Sequence, residues 1–159
     1  MNFLEVQKNA LNLSPQKVSD DLFVRVKQLE DYFFDLNIQQ LEQSEGADNT
    51  PLVNRNSKYK GFYTEATEAI SKESPFPKAK KIAGEPYNFL WEGDFIEGFT
   101  MKVINESVEI FSTGTGSGTK KSFFDGYKNL FGLNDQKLRI AIDEKIRPFI
   151  IEYYRKALT

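Results

Sequence analysis

The chain of 159 residues contains no histidine and no cysteine. Without imidazole there is no Ser-His or Cys-His nucleophile pair, no side chain that titrates unperturbed near neutrality, and no His ligand for zinc. Without thiols there is no disulfide, thiolate nucleophile or Cys metal site. No run of 18 apolar residues occurs, so no segment reads as a membrane-spanning helix. The opening Met1-Asn2-Phe3-Leu4-Glu5 lacks the basic segment and apolar run of a signal peptide, and none is expected. Charge of one sign is also missing: 21 basic against 23 acidic side chains leave a net charge of -2, which argues against a general nucleic-acid binder.

What the chain does have is apolar material. Hydrophobic residues make up 40% of it, with 14 Phe, 7 Tyr and one Trp, and a chain of this length buries roughly 70% of its unfolded surface. The expectation is a soluble globular domain, alone or with an extension. The near-zero net charge hides alternation along the sequence. Residues 1–57 carry 5 basic and 9 acidic groups, 58–84 carry 6 and 3, 85–113 carry 1 and 6, and 114–159 carry 9 and 5. Such blocks suit surfaces that dock on complementary ones, copies of the same chain included.

The clearest expected element is one long helix from Pro15 to about Gln43, with Ser14 as its cap and Pro15 at the first helical position. Leu22, Val26, Leu29, Phe33 and Leu36 form its apolar stripe, and Phe23, Tyr32 and Phe34 widen it enough to meet a second neighbour or an oligomer contact. The polar stretch from Ser44 to Ser57 reads as a loop or hinge. It divides the chain into a helical segment with linker, 1–57, and an α+β domain, 58–159. A shorter helix is expected from Gly61 to about Lys72, stopped by Ser74-Pro75-Phe76-Pro77, and Lys78, Lys80 and Lys81 read as a solvated basic patch. Alternation of Phe99, Met101 and Val103, then Val108, Ile110 and Ser112, predicts a β-hairpin over about 98–113. A last amphipathic helix runs from Asn134 or Asp135 to about Ala157. Leu138, Ile142, Ile146, Phe149 or Ile150, and Tyr153 share one face, and Pro148 kinks or splits the helix.

Three constellations invite a chemical reading. The Gly114-Thr115-Gly116-Ser117-Gly118 loop before Lys120-Lys121-Ser122 follows a strand, but a phosphate loop needs its second glycine five residues after the first, and position 119 is Thr. Glu92, Asp94 and Glu97 lie close in sequence beside Trp91, where burial could raise one pKa for acid/base work or three oxygens could hold a hard cation. A polar turn leading into the hairpin uses the same residues equally well. Aromatics interleaved with lysines, at Lys58-Tyr59-Lys60-Gly61-Phe62-Tyr63 and Lys121-Ser122-Phe123-Phe124-Asp125-Gly126-Tyr127-Lys128, could stack bases, although core packing explains them as well.

In order along the chain, Lys80-Lys81-Ile82-Ala83-Gly84-Glu85-Pro86-Tyr87-Asn88-Phe89-Leu90-Trp91-Glu92-Gly93-Asp94-Phe95, the hairpin, Leu130-Phe131-Gly132-Leu133-Asn134 and the C-terminal helix resemble the layout of tailed-bacteriophage tail-completion and neck proteins, the head-tail joining family of virion morphogenesis. Gly93-Asp94-Phe95 matches the segment that opens the hairpin, Phe131-Gly132-Leu133 the step before the last helix, and the likeness covers roughly residues 58–158. It implies an α+β fold, a homo-oligomeric ring between portal and tail, and a virion structural protein with no catalytic residue, cofactor or metal. Assembly in the host bacterial cytoplasm, no membrane contact, and DNA met at most by lining a channel follow from the same likeness. The candidate interface residues are Phe23, Tyr32 and Phe34 on the long N-terminal helix, which lies outside the likeness, and Trp91, Asp94, Phe95, Lys120, Lys121, Phe123 and Phe124. Two alternatives stand beside it: a cytoplasmic module that binds a peptide or single-stranded nucleic acid, and a small hydrolase built on Glu92, Asp94 and Glu97.

Overall fold

The computed structural model describes residues 3–11, 13–52, 61–76, 80–87, 89, 94–104, 106–114, 126–127 and 129–158. Its order is α1 (Phe3–Leu11), α2 (Pro15–Gln28), α3 (Glu30–Glu42), α4 (Glu65–Lys72), α5 (Asp94–Glu97), β1 (Phe99–Ile104), β2 (Ser107–Ser112), α6 (Asp135–Ala141), one wide π-helical turn (Ile142–Ile146) and α7 (Arg147–Leu158). This is an α+β chain with helices packed on a two-stranded antiparallel sheet.

The expected long helix is two helices. Ser14 Oγ accepts from Lys17 N at 3.1 Å and Pro15 opens α2, as the capping pattern predicts. Leu29 then leaves helical geometry at φ -102°, ψ 16°, and its N–H closes on Val26 O at 3.0 Å. No glycine or proline marks the break. A rod of that length would run about 40 Å, about twice the reach of a six-residue strand; bending at Leu29 lets both α2 and α3 lie on β1. Lys27 and Glu30 pair across the bend, and Lys27 Nζ donates to Met101 O at 3.0 Å.

The stripe does what its spacing predicts: Val26, Phe33 and Leu36 are buried, with Leu22 and Leu29 packed against them. The same buried cluster holds Leu41 and Leu52 together with Phe95, Phe99, Met101, Ile110, Leu130 and Ala141, so segments 1–57 and 58–159 share one core. Rings run through it edge to face. Phe34 meets Phe99 at 5.8 Å, Phe95 meets Phe99 at 5.2 Å, and Phe89 meets Tyr127 at 4.9 Å.

Two fully buried amides interrupt the stripe on α3. Asn37 Nδ2 donates to Leu130 O (3.1 Å); Gln40 Nε2 donates to Gly132 O (3.2 Å) and its Oε1 accepts from Asn134 N (2.7 Å). These bonds satisfy main-chain groups in the step before α6, which could not otherwise be buried cheaply. Asn134 caps α6 by accepting from Lys137 N (2.9 Å) and donates to Glu45 (2.8 Å). Within the expected hinge, residues 44–52 are held by the same network: Ala47 N donates to Asn129 O at 2.8 Å and Asn49 exchanges hydrogen bonds with Asp135.

The hairpin pairs Phe99 with Ser112 through Ile104 with Ser107, as its alternation predicts. Helix α4 starts at Glu65 under a Thr64 cap, four residues later than expected. Gly61 is instead a turn at φ +72°, where a Cβ would lie 2.9 Å from Leu52 O. In the last helix, Pro148 neither ends nor splits the chain of turns. Its ring displaces the carbonyl four residues back and it has no N–H to offer; the wide turn, in which Arg147 N–H reaches Ile142 O, takes up the mismatch.

Candidate protein-binding surface

Five of the ten expected interface residues lie within the described residues. Phe95 is 2% exposed and packs at the centre of the core, so it offers no surface; the apolar side of a short helix leading into β1 is the natural plug for the aromatic cluster. Phe34 is half-buried against Phe99, and Phe23 is half-buried on α2. Tyr32 is held within the chain: its OH donates to Glu144 Oε2 at 2.7 Å, and Lys145 Nζ lies 4.8 Å from its ring centroid. Burial, and then the Glu144 carboxylate, push its phenol up to about 12. Asp94 is the first residue of α5. Trp91, Lys120, Lys121, Phe123 and Phe124 lie outside the described residues, as do Glu92 and the 115–118 part of the glycine-rich loop. Among the described residues, no three carboxylates gather in a way that could hold a metal ion, and no helix is long and apolar enough to cross a membrane.

The surface that does expose apolar groups is elsewhere. Beyond Met101 and Ile110 the hairpin leaves the core, and Val103, Ile104 and Val108 stand exposed at its far end. On α6 the inward face is Lys137 and Ala141, one residue out of step with the expected stripe. Leu138 (44% exposed) and Ile142 (39%) therefore point outward together. The cause is at the start of the helix: Asn134, buried as the cap and held by Gln40, sets the rotation, and the side chain of Ala141 is small enough to sit in the core. From the last residue of the wide turn onward, Ile146, Phe149, Ile150 and Tyr153 are half-buried, and Tyr153 OH donates to Asp21 on α2 at 2.6 Å. That bond holds the Asp21 carboxyl below its usual range. Ile151 and Tyr154 remain outward on α7.

A second unit is formed by 61–72 and 80–87. Gly84 N donates to Tyr63 O (3.0 Å), Tyr63 N to Glu85 O (2.9 Å) and Tyr87 N to Gly61 O (3.0 Å). Glu68 accepts from Ala83 N (2.8 Å), and Ser71 Oγ accepts from Lys81 N (2.8 Å). Lys81 thus departs from the expected solvated patch. It is 5% exposed, with Nζ 5.2 Å from the Tyr63 ring centroid, and burial brings its ammonium down to about 8. The ring is one electrostatic partner of the buried ammonium. Phe62, Ile70 and Ile82 are exposed on this unit.

Sequence reasoning missed the outward Leu138 and Ile142 because their spacing alone cannot fix which way a helix is rotated. The earlier signal was Asn134, whose capping role was legible but whose burial was not. Compared with known proteins, the chain matches no family model, no curated protein and no solved structure.

Proposed function

We propose that this chain is a structural protein of a tailed-bacteriophage particle, a non-enzymatic subunit of a homo-oligomeric ring in the neck, between portal and tail, assembled in the host cytoplasm. The observation that carries the reading is the exposure of apolar side chains on regular elements: Val103, Ile104 and Val108 at the hairpin end, Leu138 and Ile142 on the last helix. Such groups on secondary structure, already ordered, lose little entropy on docking and suit contact with other subunits. The resemblance of 80–95 and 130–134 to neck proteins supplies the setting, and the alternating charge blocks supply register between neighbours.

The test is on particles. Virions purified from a lysate of cells that encode the chain, analysed by quantitative mass spectrometry and cryo-EM, are expected to hold it in a fixed multiple per portal ring, as density at the portal-tail joint. Intact, tailed particles that lack the chain overturn the assignment. Substituting Leu138→Glu and Ile142→Glu together is expected to leave the free chain folded and to block its incorporation.

A further inference from the structure

We infer that the outer edge of β2 pairs with the same edge of a second copy of this chain, antiparallel, about a twofold axis beside Ile110. The hairpin itself fixes which main-chain groups are available. Thr113 N donates to Gly98 O at 2.9 Å. In the observed register the directly opposed pairs 100/111, 102/109 and 104/107 therefore exchange hydrogen bonds, and Phe99, Met101 and Val103 on β1, with Val108, Ile110 and Ser112 on β2, turn N–H and C=O outward. On β1 that edge is engaged: Lys27 Nζ donates to Met101 O, and α2 and α3 pack on the strand. On β2, no described residue bonds the outward main chain of Val108 or Ile110. A two-stranded ribbon with an edge that no described residue pairs is marginal by itself and is a template for another strand.

Charge selects both the occupant and the register. Lys102 faces Glu109 across the hairpin, yet its Nζ lies 4.7 Å from the Phe111 ring centroid, and Glu109 has no ion pair among the described residues. Antiparallel pairing of β2 with its copy must set outward residues opposite outward residues. If Val108 opposes the second copy's Ile110, Glu109 faces the second copy's Glu109, which repels. If Ile110 opposes the second copy's Ile110, Val108 faces the second copy's Ser112 and Glu109 faces the second copy's Phe111, over which the second copy's Lys102 sits. The twofold then makes this charge contact twice and completes a four-stranded sheet in the order β1-β2-β2-β1. A twofold pair closes on itself and builds no ring, so this inference goes beyond the neck reading, and each fails separately.

Sedimentation velocity of the full chain over a concentration series tests it, with hydrogen exchange at the Ile110 amide as a local readout. The wild-type chain is expected to show a dimer that grows with concentration, with Ile110 protection rising in parallel. Val108→Pro removes an N–H that no described residue of the monomer accepts; it is expected to abolish the dimer with an unchanged circular dichroism spectrum. Glu109→Lys is expected to weaken association roughly tenfold or more, and Lys102→Met, which removes the ammonium over Phe111, to weaken it severalfold. The Glu109 and Lys102 substitutions are at the surface and keep the test valid if Val108→Pro fails to fold. A wild-type monomer at every concentration overturns the inference. So does a dimer whose strength ignores these substitutions.

Discussion

Replacing Lys81 by Met should stabilise the protein at neutral pH, because the buried ammonium is a net cost that the fold carries. Its pKa falls from the ordinary 10.5 to about 8, and the cause is desolvation. A shift of that size corresponds to about 3 kcal/mol once solvent screening is allowed for, and loss of the ammonium's contacts on substitution, Tyr63 among them, returns about 1 kcal/mol. The expected gain at pH 7 is therefore about 2 kcal/mol. For a domain of this length that raises Tm by about 4–8 °C. Methionine matches the lysine stem in length and flexibility and leaves no cavity. The sign with pH follows from proton counting. Between pH 8 and 10.5 the unfolded chain holds a proton on Lys81 that the folded chain has released, so wild-type stability rises relative to the variant through that window. Below pH 8 both states are protonated and the gap is constant and largest. Urea denaturation of both proteins at pH 7, 9 and 10.5, followed by far-UV circular dichroism, reads this directly. Comparing the pair cancels the titration of the tyrosines. A variant less stable than wild type at pH 7, or a gap that does not shrink by pH 10.5, refutes the reasoning.

Other substitutions test the joints of the fold by the same denaturation assay. Asn134→Ala removes the cap of α6 and the bond to Glu45, and should cost about 2 kcal/mol. Gly61→Ala forces a side chain into a φ of +72° with its Cβ 2.9 Å from Leu52 O, and should cost about 2 kcal/mol or more. Tyr32→Phe removes the hydroxyl that donates to Glu144 but keeps the ring under Lys145, and should cost about 1 kcal/mol; a loss well above that would mean the bond also holds the wide turn in place.

Local patterns were legible wherever one residue type and one spacing decide the outcome. Ser14-Pro15 announced α2, and Asn134 announced α6. The alternation at 99–103 and 108–112 announced the hairpin. It could not announce that Val103 and Val108 lie beyond the reach of α2 and α3, since burial depends on what packs above a strand. Nor was the break at Leu29 visible, because the tertiary demand to follow a short sheet produced it without a breaker residue. Asn37 and Gln40 read as polar gaps in a stripe; their partners are carbonyls more than 90 positions away. Lys81 read as solvated for a similar reason. The tyrosine that faces it, Tyr63, sits 18 residues upstream, across the 77–79 segment.

The C-terminal helix joins these threads to the proposed surface. An α-helix uninterrupted from Asp135 would require an N–H at 148 and would clash there with the proline ring. The wide turn at 142–146 removes that conflict and also changes which residues face inward after it, because a π-helical turn advances less per residue than an α-helical one. Up to the first residue of the turn, the face chosen by Asn134 leaves Leu138 and Ile142 outside; from its last residue onward, Ile146, Phe149 and Tyr153 come back toward the body, where Tyr153 reaches Asp21. One apolar stripe in sequence thus becomes two surfaces, one turned out and one packed in. The proline near the middle of the helix is the residue that requires the change of pitch between them.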